Sequence, residues 1–255
     1  MQGRFEQALA RRPAPDAADG LTTHQGAPME YSRLLAQHGA YVQCLRDFGV
    51  TVTVLPALAG YPDAYFVEDA AVVLGEVAVI TRPGAPDRRG EAEAMALALR
   101  PLKRLLRIEA PGTLDGGDVL WVADTVFVGR SGRTNDDGIR QLANAAATLN
   151  LKVVPVTVPD GLHLKSSVTA LSDDTLLMTE EFVPNEVFAD FRKVRVPAHE
   201  KEAANSLWVK DMILLAAGFP ETHRRVEKAG FAVCALGNSE IRKMDGGFSC
   251  LSLRW

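Results

Sequence analysis

Apolar and polar positions follow one another along this chain in an order that repeats. Two short apolar runs split by a tight polar turn lead into a stretch with helical spacing, and a third short run follows. Positions 71–74 and 77–81 flank Gly75-Glu76, a helix is predicted over about 89–99, and a strand over 105–109. Strands at 119–122 and 125–129 then lead to a helix near 136–149 and a strand at 152–158. Strands at 167–171 and 175–179 lead to a helix near 185–191 and a strand at 193–196. The fourth round has strands at 206–209 and 212–216, a helix near 221–229 and a strand at 232–235. A last strand, with Cys250 at its first position, has no helix after it. The predicted helix over 29–48 and strand over 50–55 can complete that unit from the other end of the chain, beyond a loop-like, proline-bearing stretch at 11–20. Sharing the chain among five such units gives about 50 residues each, a period that signals a propeller or solenoid.

A doubly wound parallel sheet is the rival arrangement for alternating strands and helices. The turns Gly75-Glu76, Ala123-Asp124, Asp173-Asp174 and Lys210-Asp211 are hairpin signals and speak against it. So does the lack of a GxGxxG or GxxxxGK[ST] phosphate loop. The expected fold is therefore α/β, a five-bladed, pseudo-fivefold α/β propeller of ββαβ units forming one domain over 1–255.

Composition narrows the partners. The 255 residues are 47% hydrophobic and 24% charged, with a formal net charge of -4 and no basic face emerging, which disfavours nucleic acid and anionic membranes. No signal-peptide pattern opens the chain and no apolar run reaches spanning length, so a cytoplasmic protein is expected. Cys44, Cys234 and Cys250 are odd in number and form no CxxC pair, which suits a reducing compartment. With no short-spaced ligand pair, no metal is expected.

In a ring of repeats, one position of every unit points at the axis. The segments just before each hairpin are Glu68-Asp69, Asp115-Gly116-Gly117-Asp118, His163-Leu164-Lys165, Asn205 and Ser249-Cys250. Singly, each reads as a turn, a structural histidine or a buried thiol. Together they bring acids, an imidazole and a thiol to one mouth. Cys250 and His163 would make a nucleophile with its proton shuttle, and Asp115 could orient the ring. The surplus acids Asp63, Glu68, Asp69 and Asp118 call for a cationic, planar substrate end rich in N–H donors, such as a guanidinium. Arg88-Arg89 and Arg133 follow the hairpins at matching phase and could hold a carboxylate at the ligand's other end. Those two ends describe arginine or an N-substituted arginine.

On these residues the sequence resembles the dimethylarginine dimethylaminohydrolases of the guanidino-modifying pentein superfamily. The motifs are Tyr61-Pro62-Asp63, Phe66-Val67-Glu68-Asp69, Ile80-Thr81-Arg82-Pro83-Gly84-Ala85, Leu114-Asp115-Gly116-Gly117-Asp118, Arg133-Thr134-Asn135, Gly161-Leu162-His163-Leu164-Lys165, and Asp245-Gly246-Gly247 leading to Cys250. The resemblance implies hydrolysis of Nω-methylated arginines to citrulline and an amine, with no cofactor and a small-molecule substrate as partner, and it leaves a homodimer open. It also implies Cys250 as nucleophile, His163 as general acid/base and Asp115 as its carboxylate. Asp63, Glu68 and Asp69 would contact substrate or lid, Arg88 and Arg133 the substrate carboxylate, and Leu21 and Met244 the ligand through their backbones, Leu21 from a mobile loop. Other amidine hydrolases of the superfamily, acting on arginine or citrulline, share such a site, and a non-catalytic pentein would use the ring as a binding surface.

Overall fold

The computed structural model describes residues 3–159 and 163–255. Gly161 and Leu162 of the quoted histidine motif lie outside them. Five three-stranded sheets surround an axis, and every sheet has the same pairing. The strand that opens a unit runs antiparallel to the next, and that second strand runs parallel to the third, which returns after a crossover.

The chain begins with β1 (Gln7–Arg11), α1 (Tyr31–Asp47) and β2 (Thr51–Leu55). The first full unit holds β3 (Ala71–Leu74), β4 (Val77–Ile80), α2 (Arg89–Leu99) and β5 (Arg104–Arg107). The second holds β6 (Val119–Val122), β7 (Thr125–Arg130), α3 (Asp136–Ala147) and β8 (Lys152–Thr157). β9 (Val168–Ala170), β10 (Thr175–Met178) and β11 (Arg192–Arg195) form the third. The fourth is β12 (Leu207–Val209), β13 (Met212–Ala216), α4 (Pro220–Lys228) and β14 (Ala232–Leu236). After a one-turn helix α5 (Ser239–Arg242), β15 (Ser252–Arg254) pairs antiparallel with β1, which pairs parallel with β2.

Three expectations are corrected. The fifth unit contains β1, a strand absent from the sequence reading: it is the middle strand that β15 and β2 both need. Its burial, exposed at Gln7 and buried from Ala8 to Arg11, has no period-2 alternation to reveal it. The third unit has no α-helix near 185–191. Pro184 interrupts the segment, and two 3₁₀ turns, Glu180–Phe182 and Glu186–Phe188, place Phe182 and Phe188 in the core instead. Phe188 packs on Phe127 with ring centroids 5.1 Å apart. Finally, Cys250 does not begin a strand. It lies in the 3₁₀ turn Ser249–Leu251, ahead of β15.

That last correction exposes a regularity. Every unit enters its first strand through a 3₁₀ turn: Val67–Ala70, Gly116–Asp118, Leu164–Ser166, Ala198–Ala204 and Ser249–Leu251. Each crossover helix buries its apolar stripe on its own sheet, as Met95, Ala96 and Leu99 of α2 do with Ala78 and Ile80. The outer layer thus fixes the sheets, and the sheets aim the turns at the axis.

Candidate active site

Around the axis the backbones crowd together. A Cβ on Gly117 would sit 2.6 Å from His163 Nδ1 and 2.9 Å from Asp69 Oδ1, and one on Gly247 would sit 2.1 Å from Asn205 Cγ. Only glycine lets these segments meet. Neighbouring residues of the turns then divide between two mouths. Asp69, His163 and Cys250 line a cavity of about 200 Å³ together with Leu21, Asp63, Arg88, Arg133 and Met244. Glu68, Lys165 and Ser249 line a cavity of about 230 Å³ at the other mouth.

In the first cavity His163 is buried, and its Nε2 lies 3.0 Å from Asp115 Oδ2 and 3.9 Å from Asp69 Oδ1. Asp115 is fully buried and held in turn: its Oδ1 accepts the Gly84 N–H at 2.8 Å, and its own N–H donates to Thr134 Oγ1. Burial works against the imidazolium, but the carboxylates of Asp69, Asp115 and Asp118 outweigh it and hold His163 at about 9. Asp69 shows the reciprocal effect. Burial opposes its charge, yet His163, Arg88 and the Gly117 N–H keep it at about 2. Asp118 ties the surrounding loops together, its Oδ2 accepting from Ser131 and Thr134 hydroxyls and its Oδ1 from the Leu164 N–H.

Cys250 is 9% exposed. Asn205 steadies it, accepting the Ser249 N–H at 3.0 Å and turning its Nδ2 toward the sulfur at 3.8 Å. Burial pushes the thiol up to about 12, and the Glu68 and Asp69 carboxylates push the same way. At neutral pH the cavity is therefore lined by both a thiol and an imidazolium.

Two expected substrate contacts are placed differently from the sequence reading. Glu68 faces the second mouth, where its Oε1 meets Lys165 Nζ and Arg254 Nη2, each at 2.6 Å, and its Oε2 accepts from Ser249 Oγ. Adjacent residues of a tight turn point apart, so Glu68 and Asp69 cannot serve one cavity. Arg88 does line the first cavity but is already engaged. It donates to Asp69 Oδ2 at 2.7 Å and to both oxygens of Glu91 at 3.0 and 2.8 Å, and also reaches the Asp63 and Phe66 carbonyls. Glu91 is not among the residues that the repeat singles out, and its i,i+3 spacing from Arg88 at the start of α2 is the helical ion-pair signal that reveals it. Arg133 is half-buried, and its guanidinium makes no hydrogen bond among the described residues.

The rim is latched by hydrogen bonds whose residues, apart from Leu21 and Asp63, the sequence reading gave no role. Asp63 Oδ2 accepts the Leu21 N–H at 3.0 Å. Thr22 Oγ1 donates to the Lys243 carbonyl at 2.6 Å, and Thr23 donates its N–H and hydroxyl to Asp245. Asp245 has a φ of 57°, a left-handed conformation that turns its carboxylate toward the 21–23 loop. Leu21 itself stays 43% exposed at the opening. Among the described residues, Asp69, Asp115 and His163 are the group that could hold a metal ion, with ligand atoms within 4.8 Å of one another. Arg88, Gly117 and the imidazole already occupy those carboxylates.

The chain is similar to known proteins along nearly its whole length. A family model described as arginine deiminase matches residues 57–214. The N(G),N(G)-dimethylarginine dimethylaminohydrolase of Pseudomonas aeruginosa is 39% identical over 254 residues, covering 98% of this chain and all of that protein. Its counterpart in Streptomyces coelicolor is also 39% identical, covering 98% of this chain and 96% of that protein. A solved structure of the P. aeruginosa enzyme, a cysteine-to-serine mutant with citrulline, superposes with a TM-score of 0.96 over 99% of this chain at 38% identity. The N-terminal domain of a cyanobacterial arginine dihydrolase has the same fold, with a TM-score of 0.88 at 21% identity over 97% of this chain and 96% of that domain.

Proposed function

The chain belongs to the dimethylarginine dimethylaminohydrolase family, and from that premise we propose that residues 1–255 form one catalytic unit. It hydrolyses Nω-methylated arginines to citrulline and methylamine or dimethylamine. The observation that carries this reading is that Cys250 and the Asp115-held His163 line one cavity, whose carboxylates, Asp63 and Asp69, suit a guanidinium.

The substrate's cation complements the charge of the site. Set beside Cys250, it offsets the carboxylates and the burial that keep the thiol protonated, so binding itself favours the thiolate. The thiolate attacks the guanidinium carbon, the C–S bond forms, and His163, charged at neutral pH, protonates the departing amine. Such a positioned acid contributes roughly 10²–10⁴-fold. His163, now neutral, takes a proton from water. The resulting hydroxide adds to the S-linked amidine, and the C–S bond breaks to release citrulline. Asp69 has one oxygen on Arg88 and the other on Gly117, so it acts as a fixed negative wall. Arg88 stiffens that wall, and Arg133 is the arginine free to take the substrate carboxylate. Glu68 acts on the site only through its charge, from the far side of the turn. Leu21 and Met244 offer backbone groups at the opening.

The free state of all three cysteines suits the reducing cytoplasm. Among the described residues, no helix is long and apolar enough to cross a membrane.

The match to the arginine deiminase model supports a second reading, arginine as substrate. Incubating the purified protein with asymmetric dimethylarginine and, separately, with arginine decides between them. Citrulline and dimethylamine should appear from the first at a kcat/KM well above that for arginine, and Cys250→Ser should abolish turnover. Comparable kcat/KM for arginine, or an active Cys250→Ser, would refute the reading.

A further inference from the structure

The catalytic cavity uses one of the three thiols, and the other two touch each other. Cys44 Sγ lies 3.7 Å from Cys234 Sγ, across a sequence separation of 190 residues. Cys44 sits on the inner face of α1 at 8% exposure, and Cys234 is half-buried on β14. The two sulfurs border one apolar cluster with Leu45, Leu214 and Leu236. Apart from each other, neither thiol has a hydrogen-bond partner among the described residues.

We propose that Cys44 and Cys234 are a disulfide-forming pair, a modification site for peroxide that staples the N-terminal arm of the ring to its fourth unit. The sulfurs are already in van der Waals contact, and a bond needs them to close to about 2.05 Å, within reach of side-chain rotation and a small shift of α1 on β14. The elements differ in exposure, which orders the chemistry. Cys234, the more exposed, meets the oxidant: its thiolate attacks one peroxide oxygen, the O–O bond breaks, and the released hydroxide takes up a proton as water. The sulfenic acid left on Cys234 is then attacked by the Cys44 sulfur. The S–S bond forms, the S–O bond breaks, and the hydroxide leaves as a second water with the Cys44 proton. Two thiols thus supply the two electrons that reduce one peroxide. Burial, with the neighbouring thiol, pushes Cys44 up to about 12, so it waits as a protonated resolving thiol rather than reacting first.

The position gives the bond a consequence. The fifth sheet is closed where β15, from one end of the chain, pairs with β1, from the other. The bond ties α1, the helix between β1 and β2, to β14, so unfolded chains carrying it are closed into a very long loop. Loops of that length lose the most conformational freedom on cross-linking. Oxidation is therefore expected to raise the thermal midpoint.

The test uses Cys250→Ser, which leaves two thiols, alongside the unaltered protein. After treatment with hydrogen peroxide, the denatured variant should weigh two hydrogens less and contain no alkylatable thiol. Proteolysis should yield a peptide pair joining residues 44 and 234. Its thermal midpoint should rise by several degrees and return on treatment with dithiothreitol. The same peptide pair should appear in the unaltered protein, and Cys44→Ala in either background should abolish it. Two thiols still alkylatable after peroxide, oxygen added without loss of hydrogens, or disulfides only between molecules would each overturn the proposal.

Discussion

The two mouths of the ring enclose similar volumes, about 200 Å³ at the side of Cys250 and about 230 Å³ opposite, and are built from neighbouring residues of the same turns. What separates them is whether charge is satisfied. At the second mouth Glu68 is shared between Lys165 and Arg254, while Trp121, Trp208 and Trp255 line the walls. Lys103 sits over the Trp255 ring at 5.4 Å. At the first mouth a thiol has no strong partner, Arg133 is unengaged among the described residues, and an imidazolium sits among three acids. Volume therefore does not select the site: the larger cavity is electrostatically finished, and the smaller one is completed by a ligand that is cationic at one end and anionic at the other.

The strongest way to break this contrast is Asp115→Asn. The amide keeps the shape of the His163 contact and removes a charge. A loss of roughly 10³–10⁴ in kcat is expected, by analogy with other acid-to-amide changes behind a catalytic histidine. The pH profile shows why the effect is chemical. With His163 at about 9 and Cys250 at about 12, the free site at neutral pH carries one proton more than the reacting thiolate–imidazolium pair. The unaltered protein should thus release one proton on binding substrate, and kcat/KM should climb with pH until the first of the two coupled groups titrates, near 9. In Asp115→Asn one of the carboxylates raising His163 is gone, so that limb should move to lower pH. An unmoved limb with full kcat would sever Asp115 from the chemistry.

The same charges act on stability with a definite sign. His163 is raised above its unfolded value, so its contribution is complete below about 6.5 and fades as pH rises through 9. His38 is opposite: burial lowers it to about 4, so its contribution is present above about 6.5 and is lost as pH falls toward 4.

Glu68→Gln makes the complementary break. It leaves Lys165 and Arg254, both largely buried, without their shared counter-charge, and one-sided removal from a buried ion pair costs about 3–5 kcal/mol. Denaturant unfolding should show that loss, while kcat/KM changes by less than tenfold. If activity fell as far as in Asp115→Asn, the two mouths would not be separable.

How much of this could be read from the sequence follows from the same division. The repeat and the axial positions, those of Asp115, His163 and Cys250 among them, were legible because each side chain precedes a recognisable hairpin. The missing strand β1 was not, since its four buried residues show no alternation and end in a buried arginine, Arg11. The helix expected near 185–191 failed because an apolar spacing satisfied by Phe188 and Phe191 is equally well met by 3₁₀ turns once Pro184 breaks the backbone. Glu68 and Asp69 were legible as a pair but not as opposites: a tight turn sends adjacent side chains to different sides, a fact about the backbone that spacing does not carry. Arg88 matched Arg133 in phase, and only Glu91, one helical turn on, reveals that its guanidinium is already bound.

Arg133→Ala sharpens that last distinction. A half-buried arginine hydrogen-bonding a carboxylate contributes about 1.5–3 kcal/mol, so kcat/KM should fall by roughly 10–150-fold, mostly through KM. A substrate lacking the α-carboxylate should lose little from the same substitution. Equal losses on both substrates would mean that Arg133 supports the loop rather than the ligand.

The smallest expected effect lies at the rim. Thr23 and Asp245 are both held only at the surface, where a hydrogen bond is worth about 0.5–1.5 kcal/mol net. Thr23→Ala keeps the backbone N–H donation and removes the hydroxyl, so one of the two bonds to Asp245 survives. If loop 21–23 closes over bound substrate, the latch stabilises the closed form, and its loss should raise KM by roughly two- to tenfold. The release of product through the same opening should be no slower, so kcat should hold or rise slightly. A fall in kcat at unchanged KM would instead place Thr23 among the groups that orient the reacting end, and the rim would have to be counted with the catalytic mouth rather than as its door.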